Sequence, residues 1–162
     1  MNASTLTTIA PPAPMSAARR PVRHAPATSG GTSWLLPSEP ASVSQARRLT
    51  VAQLSAWALD ERIDDAELLV SELVTNAVRH ACGPVRLTFS LCATDRAFRC
   101  EVADEDCGRP RLCRAGEDDE GGRGIHLLEL LSRRWGSAST AVGKVVWFEL
   151  HPVTALSGMT RS

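Results

Sequence analysis

The run Asp64-Asp-Ala-Glu-Leu-Leu-Val-Ser-Glu-Leu-Val-Thr-Asn-Ala-Val78 constrains this chain more than any other. Its apolar residues fall at Ala66, Leu69, Val70, Leu73 and Ala77, the spacing of one buried helical stripe. Such a stripe must pack against another layer of secondary structure. Glu72 and Asn76 stand four residues apart and therefore share a helix face. On a helical wheel they fall beside the stripe, not opposite it. A carboxylate and a carboxamide are thus aimed at the margin of the core, where a pocket would form. A carboxylate there can orient a water or a hydroxyl, and a carboxamide oxygen can ligate a hard cation such as Mg2+. A lone Glu/Asn pair is more often a solvated helix edge, so the rest of the chain has to decide.

The elements around this helix are legible. Ser33-Trp-Leu-Leu36 predicts a short strand closed by Pro37. A helix over roughly 42–59 follows, with Ser42 or Ser44 as its cap and Val43, Ala46, Leu49, Leu54 and Trp57 as anchors. Gly83-Pro84 ends the Glu72 helix. Val85–Leu91 and Ala97–Asp104 alternate apolar and polar residues as half-buried strands do, and Thr94-Asp95-Arg96 joins them as a hairpin. Residues 105–123 have no apolar period and read as a long loop, either a functional lid or disordered. Gly124–Arg134 reads as an apolar helix ended by Trp135-Gly136, and Lys144–Leu150 as a last strand. Hairpin-linked strands with grouped helices give an α/β (α+β) two-layer sandwich, its sheet mixed but mainly antiparallel and its helices on one face. It is not the alternating pattern of a doubly wound parallel sheet.

The 162 residues suggest one domain with tails. Residues 1–31 are rich in Ala, Pro, Ser and Thr and are expected to be a disordered leader. The domain is expected over 32–151 and a flexible tail over 152–162. Formal net charge is 0. The leader carries Arg19, Arg20 and Arg23 without an acid, so +3 there leaves −3 for the remainder. A folded part of that sign argues against nucleic-acid binding. No apolar run is long enough to span a membrane, and no charged n-region precedes an apolar stretch, so a cytoplasmic protein is expected. Five cysteines form no Cys-x-x-Cys pair. Cys107 and Cys113 with a histidine match no recognised zinc spacing, which makes reduced, mostly buried thiols the simpler account.

Two further features carry chemistry. Asp104 shares strand parity with Phe98, Cys100 and Val102, so it points to the apolar side at the strand's end. A carboxylate there needs a partner. An adenine amino group would serve, and so would a cap on the following loop. Gly121-Gly-Arg-Gly124 lies directly before the second apolar helix. Glycines permit close backbone approach, and a helix start offers free N–H groups to phosphate. Arg123 could contact phosphate or stay solvated. The run is neither a Walker loop nor a dinucleotide fingerprint.

In this order, the features resemble the GHKL ATPase family, which includes the gyrase B subunit and sensor histidine kinases. Glu72-Leu-Val-Thr-Asn76 resembles its N box, Val102-Ala-Asp-Glu-Asp-Cys-Gly108 its first glycine box, and Gly122-Arg-Gly-Ile125 its second. From Trp34 to Leu150 the chain is similar to small actinobacterial ATP-binding proteins of the anti-sigma-factor serine/threonine kinase type. The likeness rests on Leu36–Val43, Ser71–His80, Gly121–Ile125 and Trp135-Gly136. The resemblance implies a Bergerat-type fold with ATP between the Glu72 helix and the loop 105–123. It implies adenine on Asp104, Mg2+ on Asn76, and Glu72 as general base toward a serine or threonine hydroxyl. Arg79, His80, Gly108, Gly121, Gly122, Arg123, Gly124 and Ile125 complete the implied nucleotide site. The implied phosphoacceptor is a small anti-sigma-factor antagonist, with a sigma factor as competing partner and a homodimer left open. One departure stands out: Asp106 occupies the place of the first box's leading glycine. Its charge is expected to weaken phosphate affinity by repulsion. The alternative to a kinase is a non-catalytic module that sequesters a partner under nucleotide control, and a plain scaffold is the third reading.

Overall fold

The structure is a computed structural model and describes residues 28–80, 82–105 and 119–153. Most of the leader, the greater part of the loop 105–123 with Asp106 and Gly108, and nearly all of the tail lie outside these residues. The elements run β1 (Thr28–Leu36), α1 (Ala41–Ala56), a 3-10 turn (Asp60–Arg62), α2 (Ile63–His80), β2 (Val85–Cys92), β3 (Phe98–Glu105), α3 (Asp119–Leu131), β4 (Arg134–Ser139) and β5 (Gly143–Leu150). The five strands form one sheet in the order β1-β2-β3-β5-β4, and every pairing is antiparallel. The sheet is therefore antiparallel throughout rather than mixed, in the α+β sandwich that the hairpin pattern implies.

α2 forms where the stripe requires it. Ala66, Leu69, Val70, Leu73, Val74 and Ala77 are buried. Asp64 and Asp65 sit in its first turn and Arg79 and His80 in its last, the charge order that suits the helix dipole. The alternating strands present Val85, Leu87 and Phe89 from β2 and Phe98, Cys100 and Val102 from β3 to the same core. Phe89 and Phe98 meet edge to face at 5.2 Å, and Phe98 and Phe148 at 6.0 Å. Full burial of each such ring contributes roughly 1.5–3 kcal/mol.

Several boundaries differ from the sequence reading. β1 begins at Thr28, inside the stretch read as leader. The residue before α1 is Pro40, which offers no side-chain cap; Ser42 instead donates to the Pro37 carbonyl at 2.6 Å. α1 stops at Ala56 because Ala58 turns to a left-handed φ of 55°. Trp135-Gly136 does not end a helix but lies in β4, an additional edge strand. A Cβ on Gly136 would sit 2.9 Å from Trp147, so a glycine there lets the indole lie across the strand. α3 begins at Asp119, so the run Gly121–Gly124 lies within the helix and does not precede it.

The thiols also divide. Cys92 and Cys100 are free and buried as expected, and burial pushes the Cys100 thiol pKa well up. Cys82 is disulfide-bonded, contrary to the reading of all thiols as reduced. Among the described residues no helix is long and apolar enough to cross a membrane.

Candidate functional site

Among the described residues, a cavity of about 560 Å³ lies between α2, α3 and the β3-β5-β4 side of the sheet. That volume lies within the range of about 300–1,000 Å³ usual for small-molecule sites. Leu73, Ala77, Val102, Leu128 and Val146 give it an apolar floor, and Trp135 adds an aromatic wall. Its polar lining converges from three elements: Asn76, Arg79 and His80 from α2, Asp104 from β3, and Ser137 and Lys144 from the β4-β5 hairpin.

Each polar group is held there by its own element. Asn76 is one helical step from the buried Leu73 and Ala77, so packing of the stripe brings it to the rim of the floor. Asp104 ends the inward row Phe98, Cys100, Val102, and is only 8% exposed. Its Oδ1 accepts the backbone N–H of Lys144 at 3.3 Å, and its Oδ2 lies 3.7 Å from Lys144 Nζ. One long hydrogen bond and one ion pair leave acceptor capacity on a carboxylate that has about four lone-pair sites. A neutral donor entering the cavity can take it up.

The α2–α3 contact is equally specific. A Cβ built on Gly124 would lie 3.3 Å from Asn76 Nδ2 and 3.9 Å from Glu72 Oε2. Glycine at this position lets the α3 backbone approach the carboxamide and carboxylate together. The structure thus brings Glu72, Asn76 and Gly124 into one cluster, with Asn76 and Gly124 also lining the cavity beside Asp104, Arg79, His80 and Ile125. Glu72 does not line the cavity, but its Oε2 stands 3.9 Å from the Cβ position of Gly124, which does. Gly121, Gly122 and Arg123 belong to the first turns of α3, and Gly108 lies outside the described residues.

The donor set fits a magnesium nucleotide. Mg2+ is held by one or two protein oxygens together with substrate phosphates and waters, not by a full protein cage. Among the described residues no cluster of three or more His, Cys, Asp or Glu could form such a cage. Asn76 and the neighbouring Glu72 supply the hard oxygens that the sparse arrangement needs. The buried, under-filled Asp104 and the apolar floor suit a flat base that carries an amino group.

Of the polar and aromatic lining residues, three were not read as site residues from the sequence: Trp135, Ser137 and Lys144. For Lys144 a signal was present. It shares inward parity with Val146, Phe148 and Leu150, just as Asp104 does with Val102, and a lysine at an inward position asks for a partner. Trp135 packs against the core and lines the cavity as well.

Comparison with known proteins follows the same line. The histidine kinase domain of the blue-light activated histidine kinase from Erythrobacter litoralis EL346 is similar to this chain with a TM-score of 0.46 and 24% identity. The match covers 57% of this chain and 46% of that one, so the chain spans under half the length of that solved protein. No curated protein matches the chain. The histidine kinase-like ATPase domain family matches residues 36–150, from the end of β1 to the end of β5, which is most of the chain. The chain belongs to the histidine kinase-like ATPase domain family, a family of ATP-binding domains.

Proposed function

We propose that this chain is a protein serine/threonine kinase of the anti-sigma-factor type, which uses ATP with Mg2+ to phosphorylate a small antagonist protein and so controls transcription by partner switching. The observation that carries the reading is the cluster of Glu72, Asn76 and Gly124 beside a cavity that a buried aspartate also lines. In this reading Asp104 accepts the adenine amino group and the apolar floor takes the base. Asn76 holds Mg2+ through its carboxamide oxygen. Gly121, Gly122 and Gly124 keep the α3 backbone close to the phosphates, with Arg79, His80, Arg123, Ile125 and Gly108 around them. When bound, the magnesium nucleotide supplies the transferable phosphoryl group. Glu72 orients the incoming hydroxyl and takes its proton on a carboxylate oxygen. Its partial exposure beside the cavity, not on its lining, suits a group that meets a protein substrate arriving from solvent. The antagonist, a sigma factor and a second copy of the chain are the partners this reading calls for.

The test has two stages. Calorimetric titration of ATP, with and without Mg2+, should give micromolar binding that needs the cation and weakens about tenfold or more in Asn76→Ala. Transfer of labelled γ-phosphate to a panel of small antagonist proteins should then proceed with the wild type and fall by about 10²-fold or more in Glu72→Gln. Tight binding without transfer to any of them would replace the kinase with a nucleotide-gated module that sequesters its partner. Absence of nucleotide binding would remove both.

A further inference from the structure

We propose that Lys144 reads the nucleotide base together with Asp104, as a specificity-determining donor beside the acceptor. The inference rests on the ATP reading of the cavity and adds a residue to it. Asp104 and Lys144 are direct cross-strand partners at the cavity end of β3 and β5. Both line the cavity. The carboxylate side chain is 7% exposed, whereas the lysine side chain is 49% exposed. The ammonium lies 3.7 Å from Oδ2, close enough to balance the buried charge and too far for a hydrogen bond. Among the described residues Nζ has this ion pair and no hydrogen bond, so its three donors remain available to a ligand.

A negative acceptor and a positive donor therefore stand side by side in the lining of a cavity with an apolar floor. The Watson–Crick edge of adenine carries the complementary order: an amino donor at C6 and an acceptor at N1 beside it. With the amino group on Asp104, the N1 lone pair faces the Lys144 side. The neutral amino group brings no charge to Asp104, so the ammonium still has its counter-ion and keeps its place. Guanine in the same orientation presents the reverse, a C6 carbonyl against the carboxylate and an N1–H against the ammonium, and both contacts repel. Lys144 thereby contributes to adenine affinity and to rejection of guanine.

The decisive measurement is a binding cycle on the full chain with ATP and with 1-deazaadenosine triphosphate, which keeps the amino group and lacks the N1 acceptor. The wild type should bind the deaza nucleotide about tenfold more weakly than ATP. Lys144→Met should bind both nucleotides equally, each about tenfold more weakly than the wild type binds ATP. A deaza penalty of the same size in wild type and variant would overturn the proposal, because a merely electrostatic or structural lysine would not couple to N1. So would equal binding of the two nucleotides by the wild type, a result that needs no variant. Either outcome leaves the ATP site standing. Failure of the wild type to bind ATP would remove the site, and this proposal with it.

Discussion

Asp104 and Glu149 are both carboxylates on the sheet, both are buried, at 8% and 4% exposure, and they lie on opposite faces. Glu149 is flanked by two guanidinium groups. Arg99 donates to it at 2.9 Å, Arg134 stands at 3.6 Å, and Arg99 is itself fixed by Glu101 at 2.7 Å and by stacking 4.0 Å over the Trp147 ring. Asp104 has one backbone N–H at 3.3 Å and one ammonium at 3.7 Å. A buried carboxylate gripped at short range by a guanidinium that is itself fixed by a neighbour and a stacked ring rigidifies a layer. One held only by a long hydrogen bond and a half-exposed ammonium contributes less to folding and keeps acceptor capacity for a ligand. The helix-covered face holds the second kind, at the end of a cavity, whereas the face without helices holds the first.

The comparison breaks most visibly on Glu149. Glu149→Gln keeps the shape and removes the charge that Arg99 and Arg134 share. We expect a loss of about 2–4 kcal/mol in stability, read from the urea midpoint, because a partly buried guanidinium is left short of its counter-ion. ATP affinity should stay within about twofold, since an added change of this size comes only from coupled neighbours. A large fall in ATP affinity would mean that the two faces communicate.

Asp104→Asn is the mirror experiment. The carboxamide can still accept the Lys144 N–H, so stability should move by less than about 1 kcal/mol. ATP affinity should fall about 10- to 100-fold, the weight of a charge-assisted hydrogen bond to the base. If stability drops as far as in the Glu149 variant, Asp104 is structural and the contrast between the faces is lost.

Gly124→Ala sharpens the contrast within the site. Its new Cβ would press on Asn76 Nδ2 at 3.3 Å and could be accommodated only by a shift of a few tenths of an ångström. Alanine favours the helix by up to about 1 kcal/mol over glycine, so the variant should be no less stable. Nucleotide affinity should nevertheless fall about fivefold, the size of a lost or misplaced contact of about 1 kcal/mol. Stability and binding moving in opposite directions would mark a residue kept for its ligand.

How far the sequence reaches depends on the same distinction. α2, β2, β3 and β5 were legible because each has a burial pattern that only one period satisfies; the inward row Phe98, Cys100, Val102 then located Asp104. Asn76 was legible for the same reason, four residues past Glu72 beside the stripe. β4 was not. Its inward positions include Trp135 and Ser137, so a single large apolar side chain marks the row, and Gly136 is explained only by Trp147 from the next strand. The start of α3 was hidden too, because three glycines and a run of charge oppose a helix by local propensity. The contact between Gly124 and Asn76 joins residues far apart in the chain, and no local pattern encodes it.

The smallest expected effect tests whether partner number alone makes a carboxylate structural. Asp95, in the hairpin between β2 and β3, is rich in partners: Cys92 beside it, the Ala97 N–H at 3.1 Å and His151 Nε2 at 3.0 Å. These hold its pKa below the ordinary 3.8, the Cys92 contact most of all. Yet its side chain is 48% exposed. A depressed carboxylate pKa contributes stability that is present above the unfolded value of 3.8 and is lost as pH falls through the lower folded value. The window therefore lies at and below pH 3.8, and near neutrality Asp95 should show no pH dependence. A carboxyl-carbon NMR titration should place its midpoint under 3.8, and Asp95→Asn should flatten the acid limb of the stability curve only slightly, because solvent screens an exposed group. A loss at pH 7 as large as that of Glu149→Gln would show that partners, not burial, decide the role, and exposure would no longer set Asp95 apart from Glu149.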